Sequence, residues 1–186
     1  MMKENTGFLI TEEQIKERIK EIASQIRQDY EATVPILVGV LKGSFIFLAD
    51  LIRELKDMAL EVDFLAVSSY GKSTKTSGIV KILKDLSTSI EGRDVILVED
   101  ICDSGLTLKY LIELLEGRKP NSLRVCVLLD KKERRVVDIE LHYVGFEVPD
   151  RFLVGYGLDY AEKYRNLPYI RELMPQELRE VENNEK

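Results

Sequence analysis

Val95 to Leu108, which reads VILVEDICDSGLTL, constrains the fold more than any other stretch of the chain. Four apolar residues, Val95, Ile96, Leu97 and Val98, stop at two adjacent carboxylates, Glu99 and Asp100. An apolar, β-branched run of this kind predicts a strand buried on both faces, as in a parallel sheet covered by helices. Asp103 then opens a polar turn, Asp103-Ser104-Gly105-Leu106-Thr107, and an amphipathic helix follows over Leu106–Glu116. Strand, acids, Gly/Ser/Thr turn and helix in that order predict the ligand-binding edge of an α/β sheet. Backbone N–H groups and two hydroxyls in such a turn can hold a phosphate at a helix start. The acids can take ribose hydroxyls or a hard cation.

The rest of the chain repeats the strand–turn–helix alternation. Thr11-Glu12-Glu13-Gln14 reads as a capping box. Ile15, Ile19, Ile22 and Ile26 recur at helical spacing, so 12–28 is predicted helical. Ile36–Leu41 is a predicted buried strand, Lys42-Gly43-Ser44 a turn and 45–56 a helix. Leu60–Tyr70 alternates as a strand, 71–78 is a polar lysine-bearing loop, and Ile79–Asp85 is a returning strand. Leu123–Leu129, Leu141–Val144 and Phe152–Val154 complete the predicted strands. Alternation of this kind implies right-handed crossovers and a mostly parallel sheet. Ligands bind beyond the carboxyl ends of such strands. Four polar turns are therefore expected on one face: 42–44, 71–78, 99–107 and 130–132. Residues 12–28 and those after about 145 fall outside the alternation and are expected to cap that face. This gives one domain over 1–186, with a core of about 30–145 and a hood from 1–29 and 146–186.

Composition narrows the function. At 186 residues, 45% hydrophobic and 32% charged, the chain has the make-up of a globular domain with a full core. Its net charge of −6 argues against a nucleic-acid partner, which selects a basic surface. A polyanionic substrate must then be held by local donors and a metal. Two cysteines, Cys102 and Cys126, show neither a disulfide framework nor metal-ligand spacing, which suits a reducing compartment. No signal peptide and no membrane span is read in the sequence. A cytoplasmic protein is expected.

The acid pair with its Asp103–Thr107 turn resembles the phosphoribosyl-pyrophosphate motif of the phosphoribosyltransferases. A second segment, Val144-Gly145-Phe146-Glu147-Val148-Pro149-Asp150 running into Arg151–Tyr160, is similar to the base-binding region of their hypoxanthine-guanine branch. The likeness spans about Leu9 to Asn166. It implies the type I phosphoribosyltransferase fold, an α/β fold with a mostly parallel core sheet flanked by helices and a small hood. It also implies a Mg²⁺-dependent salvage enzyme that joins phosphoribosyl pyrophosphate to a 6-oxopurine base, without nucleic acid or membrane, as a homodimer or homotetramer. Xanthine preference, broad 6-oxopurine use, and a regulatory relative that binds nucleic acid without catalysis are the alternatives.

By that resemblance, Glu99 and Asp100 hold the ribose hydroxyls and, with Asp159, the metal. Asp103, Ser104, Gly105, Leu106 and Thr107 form the 5′-phosphate loop, and Asp103 is the candidate base. Leu41, Lys42 and Gly43 become the pyrophosphate loop, whose Leu-Lys peptide can be cis in this family, and Arg165 a second pyrophosphate ligand. Lys131 faces the purine 6-oxygen, Phe152 stacks on the ring, the Leu153 backbone reads its edge, and Asp159 assists at the 2-position or a second metal. Ser69 and Tyr70 belong to a lid that excludes water from the sugar.

Other features read as structure. Ala66–Ser73, AVSSYGKS, imitates a relaxed Walker pattern, but no helix follows its Lys-Ser pair. Lys132, Arg134 and Arg135 are expected to be solvated charges, and His142, between Leu141 and Tyr143, a structural residue. Cys102 is expected to be a small packed side chain, with sensitivity to oxidation as its other open role.

Overall fold

The protein is described here from a computed structural model covering residues 8–69, 80–174 and 176–177. In chain order the elements are β1 (Phe8–Ile10), α1 (Glu12–Asp29), β2 (Ile36–Leu41), α2 (Phe45–Glu54), β3 (Glu61–Ser69), β4 (Val80–Lys84), β5 (Asp94–Cys102), α3 (Leu106–Glu116), β6 (Ser122–Asp130), β7 (Tyr143–Glu147), β8 (Leu153–Val154) and β9 (Ile170–Glu172). A single 3-10 turn, Lys132–Arg134, follows β6.

Six strands form the main sheet in the order β4-β3-β2-β5-β6-β7. All neighbours pair in parallel except β4, which returns antiparallel along β3 at the edge. Successive side chains of a strand face opposite sides, and both sides of this sheet are covered. Leu37, Ile96, Val98 and Leu128 enter one apolar layer with Ile15, Ile19, Ile22 and Ile26 of α1 and Phe47, Leu48 and Leu51 of α2. Ile36, Val38, Leu97 and Val127 enter the other, with Leu108, Leu111 and Leu115 of α3. The predicted α/β architecture is the observed one.

Two expectations are corrected. The strand of Val95–Val98 does not stop at the acids: β5 continues to Cys102, because its parallel ladder with β6 runs on through Glu99↔Val127 and Cys102↔Asp130. Glu99 and Asp100 are therefore fixed by strand geometry and not by a loop. Residues 12–28 do form a helix, opened by the predicted box: Gln14 N donates to Thr11 Oγ1 at 3.2 Å, and Thr11 N donates to Gln14 Oε1 at 2.8 Å. That helix does not cap the ligand face. Its isoleucine stripe packs on the sheet, and Arg18 Nε donates to Gly145 O at 2.8 Å. A separate three-stranded sheet, β1-β9-β8, gathers the N- and C-terminal segments instead. Strands β1 and β9, at three residues each, are too short to show a period, and no element is predicted from the sequence over either.

No helix among the described residues is long and apolar enough to cross a membrane. The Walker-like stretch begins inside β3, and its remainder from Tyr70 lies outside the described residues, as do the 71–78 loop and Tyr70 of the expected lid.

One buried carboxylate ties the sheet edge together. Asp63 Oδ1 accepts from Phe64 N at 2.7 Å, and Oδ2 accepts from Ser87 N and Thr88 N at 2.7 and 3.0 Å. Burial works against the charge, but these three donors and Lys84 outweigh it and hold the carboxyl below its usual range. A depressed carboxyl stabilises the fold above its unfolded value, and that contribution is lost as pH falls through the folded one. Asp63→Ala is expected to cost about 2 kcal/mol, the scale of charge-assisted bonds whose donors water partly re-satisfies. Thermal melting at pH 7 checks this, and the gap to wild type should narrow in acid below the carboxylate range. A gap that widens in acid would contradict the assignment.

Candidate active site

The strand order fixes where a ligand can sit. From β2 the chain winds outward through β3, and from β5 it winds the other way through β6 and β7, so the topological switch lies between β2 and β5. Beyond the carboxyl ends of strands at such a point a crevice opens. There the turn after β2 meets the acids of β5. A Cβ on Gly43 would lie 1.8 Å from Asp100 Oδ2, so only hydrogen fits between loop and carboxylate. The Leu41–Lys42 peptide entering this turn is cis.

Glu99 and Asp100 lie side by side in low-dielectric surroundings. Glu99 is 8% exposed. Burial pushes its carboxyl well above the usual carboxylate range, with the Asp100 charge adding to the rise. Burial raises Asp100 too, against lowering from the Glu99 side chain, the Ile101 N–H and the Arg165 charge. A pair this reluctant to ionise is prepared for a cation or for hydroxyl donors. Among the described residues no three His, Cys, Asp or Glu side chains converge into a metal cage. Mg²⁺ does not require one, because it keeps several waters and takes one or two carboxylates plus substrate oxygens. Glu99 and Asp100 fit that donor set.

Next along the edge is the turn 103–107. A cleft of about 70 Å³ opens between Glu99, Asp103, Ser104, Gly105 and Thr107. It has room for a phosphate group but not for a purine. Leu106 N donates to Ser104 Oγ at 3.4 Å, and Gly105 stands at the start of α3. Larger hollows lie elsewhere, one of about 590 Å³ between Arg27, Thr33, Asp57 and Met58. That hollow is at the amino ends of the strands, away from the acids, so size alone misplaces the site.

Past β6, Lys131 N donates to Cys102 O at 2.9 Å, which sets Lys131 beside the Asp103 turn. The Lys131 side chain is 7% exposed, and its Nζ lies 3.5 Å from Asp150 Oδ1. Arg134 and Arg135 are not the solvated charges expected. Arg134 Nε is 2.9 Å from Asp103 Oδ1, and its Nη1 is 2.9 Å from Asp150 Oδ1. Arg135 Nη2 donates at 2.8 Å to Asp130 Oδ2, a carboxylate only 2% exposed. The sequence shows six consecutive charges, Asp130 to Arg135; the 3-10 turn folds that run back onto the sheet edge.

The C-terminal segment supplies the remaining wall. Phe152 stays 45% exposed, its ring edge-on to Tyr160 at 5.1 Å. Leu153 is held in β8 opposite Glu172 of β9. A tight loop follows in which Tyr156, Ala161, Glu162 and Tyr164 all carry left-handed backbones. Such conformations persist only where the surroundings impose them. Here Tyr156 Oη donates to Asp50 Oδ2 at 2.5 Å, and a Cβ on Gly157 would lie 2.1 Å from Gly43 O. Arg165 Nη1 donates to Gly157 O at 2.8 Å, and its Nη2 is 2.9 Å from Asp159 Oδ1. Asp159 Oδ2 also accepts from Glu162 N at 2.9 Å. Glu162 in turn lies 2.9 Å from Lys42 Nζ and 3.4 Å from Arg165 Nη2.

The structure thus brings Lys42, Gly43, Glu99, Asp100, Asp159 and Arg165 into one contiguous network, and Asp103 and Lys131 into another along the same edge. Ser69 ends β3. The sequence reading missed Asp150, Gly157 and Glu162 as members. Asp150 stood in a segment singled out for base binding, but nothing in its neighbours distinguishes it from a turn residue. Two residues behave as structure, as expected. His142 Nδ1 accepts from Val125 N at 3.1 Å, and burial lowers its proton affinity. Burial pushes the Cys102 thiol up to about 11, which keeps it from the reactive thiolate form.

Comparison with known proteins agrees with this geometry. Residues 10–161 match the phosphoribosyl transferase domain. Hypoxanthine-guanine phosphoribosyltransferase of Bacillus subtilis is 57% identical over 167 residues, 90% of this chain and 92% of the relative. That of Aquifex aeolicus is 55% identical over 174 residues, 91% and 97% of the two chains. A crystal structure of the Bacillus anthracis enzyme, with HEPES in its active site, superposes with a TM-score of 0.86 at 53% identity, covering 90% of this chain and 98% of the other. The hypoxanthine phosphoribosyltransferase of Trypanosoma cruzi superposes with a TM-score of 0.90 at 45% identity, covering 95% of each. With the domain match spanning most of the chain and relatives of this identity aligned nearly end to end, the chain belongs to the hypoxanthine-guanine phosphoribosyltransferases of the phosphoribosyl transferase family.

Proposed function

We propose that the protein salvages purines by transferring ribose 5-phosphate from phosphoribosyl pyrophosphate to N9 of hypoxanthine or guanine. The observation that supports this reading is that buried Glu99 beside Asp100, a small cleft at the 103–107 turn and the buried Lys131 lie along one strand edge at the topological switch. N9 attacks C1′ of the sugar, the C1′–O bond to pyrophosphate breaks, and the anomeric carbon inverts. As the N9 bond forms, the proton on purine N7 passes to Asp103. Glu99 and Asp100 orient the ribose hydroxyls and place negative charge near a sugar that becomes cationic in the transition state. The 103–107 turn holds the 5′-phosphate, while the 41–43 turn and Arg165 receive the diphosphate. Phe152 offers its open face to the ring, with the Leu153 backbone at the ring edge.

Glu99 and Asp100 would hold Mg²⁺, with Asp159 as a separate donor at the 2-position or to a second ion, and the bound ion would supply charge neutralisation for the leaving diphosphate. Ser69 and Tyr70 belong in this reading to a lid over the sugar. A cytoplasmic location is part of it, supported by two cysteines that are both free and buried. So is assembly of copies into a dimer or tetramer, in line with the role of the C-terminal region in the oligomeric state of the T. cruzi enzyme.

Purified protein with Mg²⁺, phosphoribosyl pyrophosphate and each of hypoxanthine, guanine, xanthine, adenine and uracil tests the reading through the nucleotide formed. Turnover of hypoxanthine and guanine with little of adenine is expected. No product from any base would overturn the reaction. Lys131 explains the selectivity, since an ammonium only donates and so pairs with a 6-oxygen but not a 6-amino group. Lys131→Ala is expected to cut the hypoxanthine-to-adenine ratio of kcat/KM by about 10–100-fold, the scale of one charged hydrogen bond. An unchanged ratio would remove Lys131 from base recognition.

A further inference from the structure

Four side chains at the base end of the site alternate in charge: Asp103, Arg134, Asp150 and Lys131. Arg134 joins both carboxylates at 2.9 Å, and the Asp150 oxygen it holds is 3.5 Å from Lys131 Nζ. The two ends of this series have assigned partners in the reading above: Asp103 takes the N7 proton and Lys131 faces the 6-oxygen. N7 and the 6-oxygen are neighbours on a single edge of the purine ring. The spacing between Asp103 and Lys131 must therefore match that edge.

We propose that Arg134 and Asp150 are positioning residues that set this spacing, an inference that rests on the hypoxanthine-guanine reading. A guanidinium presents its donors in a rigid planar fork, so one arginine can hold two carboxylates at a fixed angle. The backbone brings it there: Arg134 N donates to Lys131 O at 2.9 Å, closing the 3-10 turn. Asp103 Oδ1 is shut off from solvent beneath Arg134, although the Asp103 side chain is 44% exposed overall. Its accessible lone pairs are therefore on Oδ2, the oxygen left to meet N7. Lys131 carries a flexible four-carbon stem, and Asp150 is the carboxylate that fixes where its ammonium ends. Arg134 and Asp150 are each about half exposed, at 50% and 51%, so as an ordinary surface bridge they add little to stability. A purely structural pair and a positioning pair therefore differ in what their loss does.

The test uses the full chain with Mg²⁺, phosphoribosyl pyrophosphate and hypoxanthine, comparing Arg134→Met, Arg134→Lys, Asp150→Asn and the double variant Arg134→Met/Asp150→Asn. In Arg134→Met, kcat/KM for hypoxanthine should fall about tenfold or more, as small misplacements of a reacting group do. KM for phosphoribosyl pyrophosphate and the melting temperature should stay near wild type. Arg134→Lys should recover part of the loss, since an ammonium engages one carboxylate but does not bridge two. The double variant should be no worse than Arg134→Met, because residues acting as one unit are not additive. Wild-type base kinetics in Arg134→Met would overturn the proposal. So would a loss shared equally between base, phosphoribosyl pyrophosphate and melting temperature. Failure of the underlying reading is separate: it shows as wild-type protein that turns over no 6-oxopurine.

Discussion

Replacing Asp103 by asparagine is expected to lower kcat by about 10²–10⁴-fold, the usual contribution of a positioned base, while KM for either substrate moves only a few-fold. Asparagine keeps the shape of aspartate and one acceptor oxygen, so the turn at the cleft and the approach of Arg134 survive. What it lacks is a group that can accept and keep the N7 proton. An interaction made only as the proton moves is felt in turnover and not in ground-state binding. Run from the nucleotide and pyrophosphate, the same carboxyl must return the proton to N7, so turnover in that direction should fall as well. Steady-state kinetics with each substrate varied measure kcat and KM. Equal losses in kcat and in substrate binding would remove Asp103 from the base role.

Legibility of this chain in its sequence followed the range of the interactions involved. The strands Ile36–Leu41 and the helix Leu106–Glu116 were readable to the residue, because unbroken apolar runs and turn residues at their ends are local signals. The end of β5 was not. Whether Glu99 and Asp100 lie in a strand depends on pairing with Val127 and its neighbours nearly thirty residues away, which no window along the chain contains. The placement of α1 failed for a related reason. Its isoleucine stripe shows that one face is buried but not against what, and the answer is the sheet. Within the site, acids and glycines in a short motif were visible, whereas Arg134 was hidden among six consecutive charged residues, Asp130 to Arg135. The 3-10 turn, by reversing the chain, brings Arg134 to Asp103 and Asp150 and Arg135 to Asp130.

Gly43→Ala should cost at least about 10²-fold in kcat/KM for phosphoribosyl pyrophosphate, the penalty associated with an ångström-scale misplacement in a site. The added Cβ would stand 1.8 Å from Asp100 Oδ2 and 2.4 Å from its Cγ, where ordinary contact needs 3.4–4 Å. Asp100 has little freedom to yield, since Oδ1 accepts from Ile101 N at 2.8 Å and its backbone is part of β5. The turn has little more, because Gly157 is packed against the Gly43 carbonyl from the other side. Either the carboxylate leaves the position from which, in the proposed reaction, it orients the ribose, or the 41–43 turn leaves the position from which, in that reaction, it receives the diphosphate. Gly92→Ala separates this effect from a general intolerance of glycine replacement. Its Cβ would meet nothing within 4 Å, but its φ of 70° lies in the left-handed region, so alanine there should cost about 1–2 kcal/mol of stability and leave turnover intact. Melting curves and phosphoribosyl pyrophosphate titrations on the two variants should therefore move in opposite patterns: activity lost with the fold largely kept at Gly43, stability lost with activity kept at Gly92. If Gly43→Ala retains wild-type kinetics, the contact between the β2 turn and Asp100 is not what shapes the site, and the crevice at the switch point loses its claim to be where the sugar and diphosphate meet.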